Sequence, residues 1–259
     1  MKTILCFGDS NTYGVNPSGG RHRWNIRWPG RLQALLGAEY EVIEEGYCGR
    51  TTVWEDPTAP GRCGIKALPG ILENDGLPDL AILALGTNDC KRYFQAKPAD
   101  IAAGMGRLCH LIRETASDAG TPSPAILLLS PVHILEGIEH SPYDGFAPDA
   151  PAKSRALAPL YEKLAARENC LFFDAAGIAQ ASPIDKLHME KEAHLAIAQG
   201  LLPLIRLLSC PSIPFRLRPR PSIRRFHLPN PPVQLPVHRH RHPCRIRPGD
   251  HGAGEKLHL

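Results

Sequence analysis

The chain has 259 residues, 43% of them hydrophobic, which suits one large α/β domain or two small ones with a sizeable core. It contains no apolar stretch of roughly 18 residues, which excludes a membrane-spanning helix, and the apolar run after Met1-Lys2 is too short for a secretory signal, so a cytoplasmic protein is expected. The formal charge of +4 is uneven: residues 209–259 carry nine Arg and one Lys against Asp250 and Glu255, leaving 20 basic and 24 acidic residues before them and no nucleic-acid signature there.

The first predicted strand is Thr3–Phe7. It runs into Gly8-Asp9-Ser10-Asn11-Thr12-Tyr13-Gly14, so Ser10 falls where a buried strand ends. Ligands of open α/β sheets bind outside the carboxyl ends of the strands. Ser10 therefore reads as a nucleophile if a base lies elsewhere, or as the cap of a following helix. A helix is predicted over Trp28–Leu36 and a second strand over Glu41–Ile43, followed by the turn Gly46-Tyr47-Cys48-Gly49-Arg50-Thr51-Thr52. A third strand, Leu80–Leu85, leads into Gly86-Thr87-Asn88-Asp89. Gly49 can offer its N–H, and Asn88 its amide, to a developing oxyanion, although each segment alone is an ordinary turn.

A helix over Pro98–Ala116 places Ile101, Met105, Leu108 and Ile112 on one face. Strand four is Ala125–Leu129, and a helix over Ser154–Glu168 and strand five, Cys170–Phe173, follow. Asp185-Lys186-Leu187-His188 then precedes a last helix, Glu190–Leu208, which Pro203 should kink or restart. The spacing of Asp185 and His188 puts both side chains on one side of a turn, which suits a base and its orienter. The same spacing also suits a helix start capped by Asp185. His194 is a rival base; His22, His110, His133 and His140 have no carboxylate at comparable spacing. Strands alternating with helices predict a three-layer α/β/α sandwich on a five-stranded parallel sheet.

The eight cysteines contain no C-x-x-C pair, so free thiols are expected, with Cys6 and Cys170 in the core and Cys48 and Cys90 as neighbours of the site. No metal-ligand spacing occurs in residues 1–208, and neither metal nor cofactor is expected. Tyr13, Trp24, Trp28, Trp54, Tyr93 and Phe94 flank the motif loops, as pocket lining or as loop packing. From Ser209 onward ten Pro, nine Arg and six His erase every periodicity. That segment reads as a disordered tail, a polyanion-binding arm or a frameshift-like extension. Alternating Arg sets repelling cations beside His238, His240 and His242 as metal ligands.

Four motifs thus follow four strand ends in the order Ser, Gly, Asn, Asp-x-x-His. In this the chain resembles the SGNH (GDSL) hydrolases over residues 2–208, with Gly8-Asp9-Ser10, Gly49, Gly86-Thr87-Asn88-Asp89 and Asp185-x-x-His188 as the matching blocks. Glu44 through Thr52 and Asn11-Thr12-Tyr13-Gly14 look like the arylesterase and acyltransferase branch. The resemblance implies a flavodoxin-like fold, Ser10 as nucleophile, His188 as general base and Asp185 as its orienter. It implies an oxyanion hole of the Ser10 and Gly49 N–H groups and the Asn88 amide. Glu44 stands where the second block often carries Asn, which touches a structural hydrogen bond and not the catalytic set. The absence of G-x-S-x-G around Ser10 argues against the α/β-hydrolase fold. The expected activity is hydrolysis of short-chain aryl or acetyl esters, a small-molecule substrate, through an acyl-enzyme. Carbohydrate O-deacetylation, lysophospholipase or thioesterase action, and acyl transfer would use the same site. The branch is compatible with a homo-oligomer.

Overall fold

The computed structural model of the protein describes residues 1–209, and the expectations for the later segment lie outside them. Five strands form one all-parallel sheet in the order β2-β1-β3-β4-β5: β1 Lys2–Gly8, β2 Tyr40–Gly46, β3 Leu80–Ala84, β4 Ala125–Ser130 and β5 Leu171–Asp174. The central strands are near-continuous apolar runs because parallel strands covered on both faces have no solvent side.

Alternate side chains of these strands feed two cores. Leu5, Phe7, Ala81, Leu83, Ile126 and Leu128 point to one face, where helices α3 (Gly64–Asp75), α4 (Pro98–Asp118) and α5 (Ala150–Arg167) cover them. Ile4, Cys6, Leu80, Ile82, Leu127 and Leu129 point to the other, under α2 (Trp28–Leu36) and α6 (Lys191–Ser209). The expected α/β/α sandwich is therefore the fold. One short helix more, α1 (Ser10–Tyr13), follows β1 directly.

Two helices depart from the expected pattern. Helix α3 was not anticipated, because Pro69 stands inside it and only Leu68 and Leu72 of its larger side chains are buried. Of the kink or restart expected at Pro203, the restart does not occur: the last helix is one element from Lys191 to Ser209. Pro203 is exposed, while Leu201, Leu204 and Ile205 on either side are buried in the core shared with α2. That packing outweighs the backbone bond the ring removes. Among the described residues no helix is long and apolar enough to cross a membrane.

The order of the strands decides where a ligand belongs. From β1 the chain steps outward to β2 and then returns to place β3 on the other flank of β1. The crevice beyond the carboxyl ends of β1 and β3 is the switch point of the sheet, the usual ligand position in such folds. Ser10 follows β1 and Asn88 follows β3.

Candidate active site

Ser10 sits at the first position of α1, and the capping role belongs to Asp9, whose Oδ1 accepts the Asn11 N–H at 2.9 Å. The Ser10 hydroxyl is thereby free for another partner. Its Oγ lies 2.8 Å from His188 Nε2, and His188 Nδ1 lies 2.7 Å from Asp185 Oδ2. A carboxylate only accepts, so Nδ1 carries the proton and Nε2 accepts from the serine hydroxyl. Ser10, Asp185 and His188 are all buried. Burial alone would raise the Asp185 pKa. The hydrogen bond and charge of His188, with the N–H groups of His188 and Leu187, outweigh it and hold the carboxyl below the usual range. Asp185 thus stays an anion beside the imidazole.

Local backbone geometry makes this pairing. Lys186, between the two, adopts φ 65°, a left-handed conformation uncommon outside glycine. It folds the Asp185–His188 turn tightly enough for Asp185 Oδ1 to accept the N–H of Leu187 at 3.0 Å and of His188 at 2.9 Å. Asn11 then joins this turn to the serine: its Oδ1 accepts from Met189 N at 3.2 Å and its Nδ2 donates to Leu187 O at 3.3 Å. In the sequence, Asn11 is only a marker of the branch. Its tie to residues 187 and 189 spans the chain and leaves no local signal.

Gly49 and Asn88 stand on two loops held against each other. Gly49 has φ 82°, a left-handed conformation that favours glycine, and a Cβ there would meet Arg62 Nε at 2.5 Å. Asn88 Nδ2 donates to Arg50 O at 3.2 Å, while Asp89 Oδ1 accepts from Thr52 N at 2.8 Å and Thr52 Oγ1 at 2.6 Å. Arg50 is buried, donates to Gly8 O at 3.1 Å and to Glu45 O, and lies 4.3 Å over the Phe7 ring. Its guanidinium pKa is lowered to about 10 by burial, which the charges of Glu45 and Asp9 partly offset. The Ser10 N–H belongs to the first helical turn, where amides lack an intrahelical acceptor.

The remaining candidates fall elsewhere. His194 is fully buried on α6, its Nδ1 accepts the Trp28 N–H at 3.3 Å, and its ring packs on His22 at 5.2 Å. Burial, then the neighbouring His22 and Arg27, lower its pKa to about 3, so it stays neutral and is spent on structure. His110 does meet a carboxylate, Glu168, at 3.0 Å on the surface, from a partner 58 residues away. Cys90 is buried and donates to Gly86 O at 3.4 Å, with its thiol pKa raised by burial. Six cysteines of the described residues are free thiols; Cys6 is core and Cys170 is half-buried beside Arg113. Glu44 accepts the Arg27 fork at 2.7 and 2.9 Å and Arg21 at 2.7 Å, which gives the departure from Asn a structural role of its own.

Of the six aromatics, Trp28 is core, Trp24 is half-buried against Gly30, Tyr13 lies under Arg21, and Trp54 and Tyr93 each pack on Phe94. The aromatic beside the serine site was missed: Tyr143 has its ring 4.9 Å from that of His188.

An all-parallel sheet with a serine, an imidazole and a carboxylate in line at its switch point defines a class, the carboxylic ester hydrolases of SGNH type. The chain belongs to the GDSL-like lipase/acylhydrolase family, whose model matches residues 6–196. It is similar to a carbohydrate acetylesterase family member from Sinorhizobium meliloti, at 36% identity and a TM-score of 0.73 over 80% of this chain and 99% of that one. It is similar to the M. smegmatis aryl esterase, at 35% identity and a TM-score of 0.73 over 80% and 99%. Est24, a carbohydrate acetylesterase from Sinorhizobium meliloti, matches at 32% identity and a TM-score of 0.75 over 80% and 100%. A comparison with curated proteins returned no match.

Proposed function

We propose that Ser10, His188 and Asp185 hydrolyse short-chain aryl and acetyl esters through an acyl-serine intermediate. The observation that carries this reading is the unbroken chain Ser10 Oγ–His188 Nε2–Nδ1–Asp185 Oδ2, at 2.8 and 2.7 Å, on the carboxyl edge of the sheet.

As Oγ bonds to the ester carbonyl carbon, its proton passes to Nε2, and Asp185 stabilises the imidazolium that forms. Negative charge moves to the former carbonyl oxygen, where the N–H groups of Ser10 and Gly49 and the Asn88 amide are the donors. Collapse re-forms the C=O bond and breaks the bond to the alcohol oxygen, which takes the proton from His188. Water then repeats the sequence on the acyl-serine, with His188 as base. The carboxylic acid leaves and the Ser10 hydroxyl is restored.

The substrate class draws on the named relatives, an aryl esterase and carbohydrate acetylesterases. Ser10→Ala should reduce turnover of 4-nitrophenyl acetate to background with the thermal midpoint kept. A panel of aryl esters of rising acyl length and of acetylated sugars then ranks the substrates. Unchanged turnover in the Ser10 variant would refute the reading.

A further inference from the structure

The connection from β4 to α5, residues 131–149, is far longer than the roughly four to six residues usual in compact domains, and such loops are commonly functional. It is tied on both sides of the serine site. Leu135 N donates to Lys186 O at 3.0 Å, on the turn that holds Asp185 and His188. Arg92 N donates to Gly145 O at 2.7 Å, on the segment that follows Asn88, and a Cβ at Gly145 would meet the Tyr93 ring at 2.4 Å. Tyr143 lies between these ties. Its hydroxyl donates to Asp185 Oδ2 at 3.3 Å, and its ring stands edge-to-face on the His188 imidazole at 4.9 Å and 76°.

An ionised carboxylate offers about four lone-pair sites. On Asp185, Oδ1 takes the N–H groups of Leu187 and His188, and Oδ2 takes His188 Nδ1 and the Tyr143 hydroxyl. With Tyr143 in place the acceptor shell is full. Without it, one site of Oδ2 opens toward the partly exposed position that the Tyr143 side chain fills. We propose that Tyr143 is a positioning residue for Asp185 and His188: its hydroxyl completes the carboxylate's shell, and its ring limits rotation of the imidazole and access of water to the Nδ1–H bond. Burial and the charge of Asp185 push the Tyr143 pKa up to about 12, so the phenol remains a donor at working pH.

The role presupposes the ester chemistry proposed above, and the experiment separates the two. Tyr143→Phe and Tyr143→Ala, in the full chain, are compared with wild type by 4-nitrophenyl acetate kinetics and by the downfield proton resonance of His188 Nδ1–H. Tyr143→Ala should lower kcat about tenfold or more with KM within about threefold, since small misplacements of a reacting group are costly. Its Nδ1–H signal should broaden by exchange with water. Tyr143→Phe should recover most of kcat and keep the signal, moved downfield because Oδ2 then binds one proton instead of two. Wild-type kcat and an unmoved resonance in both variants overturn the proposal, as does a loss confined to the thermal midpoint. A wild-type chain whose resonance depends on Tyr143 but which turns over no ester overturns the ester reading and leaves the positioning role standing.

Discussion

At Gly49 a hydrogen in place of a methyl group lets the loop hold its left-handed turn. The φ of 82° strains any other residue there, and a would-be Cβ 2.5 Å from Arg62 Nε obliges that side chain to move. Gly49→Ala should therefore turn the N–H away and lower kcat by about 10² or more, the scale of a lost oxyanion donor. Asn88→Ala removes the amide and its bond to Arg50 O, and kcat should fall by about 10²–10³ with KM little changed. Steady-state kinetics on an aryl acetate, with the thermal midpoint as control, checks both. These positions, with Ser10, Asp185 and His188, were legible because each lies in a short motif on a segment that follows a strand. The residues that hold them were not. Asn11 reaches 176 residues along the chain to Leu187, Asp89 reaches 37 to Thr52, and the left-handed Lys186 carries no glycine to announce it.

At the scale of the element, the interior strands were legible because burial on both faces makes them continuous apolar runs. The edge strand β2 extends to Gly46, beyond the three residues its apolar core suggested, because Glu44 and Glu45 face polar partners. Glu44 is the clearest case. Its carboxylate takes Arg27 in a fork and Arg21 beside it, with only 12% of its side chain exposed, and so ties β2 to the segment between α1 and α2. Glu44→Ala leaves Arg27, 10% exposed, without that partner. Loss of a largely buried pair on one side should cost about 2–3 kcal/mol, less than a fully buried one, read as a lower urea midpoint at constant slope. An unchanged midpoint would contradict this role. Helix α3 shows the opposite limit: with Pro69 inside and few large buried side chains, neither period nor propensity marked it, and packing on the sheet makes it.

For the whole molecule, the buried carboxyl groups beneath the site set a cost of function in stability. Asp89 is fully buried with Oδ2 unpartnered, and burial raises its pKa from 3.8 to about 6; Asp9 is raised in the same direction by burial. A folded-state pKa above the unfolded one means that the folded chain binds the proton more tightly. Stability then falls as pH rises from about 4 to 6 and is flat above. The lowered carboxyl of Asp185 acts in the other direction and only below the unfolded value of 3.8, outside that window. Wild type should thus gain on the order of 2 kcal/mol, relative to Asp89→Asn, between pH 7 and pH 4.5 in urea titrations. Parallel pH profiles in the two proteins would contradict the assignment. The three named relatives are covered over 99–100% of their length by 80% of this chain. A chain ending at Ser209 should accordingly keep its thermal midpoint and its ester turnover, and loss of soluble protein on that truncation would show otherwise.

The central claim is that Ser10 is the nucleophile of an ester hydrolase. Treatment with a fluorophosphonate, followed by intact mass and peptide mapping alongside residual turnover of 4-nitrophenyl acetate, tests it most directly. The account predicts one adduct per chain, on Ser10, formed in step with loss of turnover and absent from His188→Ala. An adduct on another residue that abolishes turnover, or full turnover with Ser10 occupied, would contradict it.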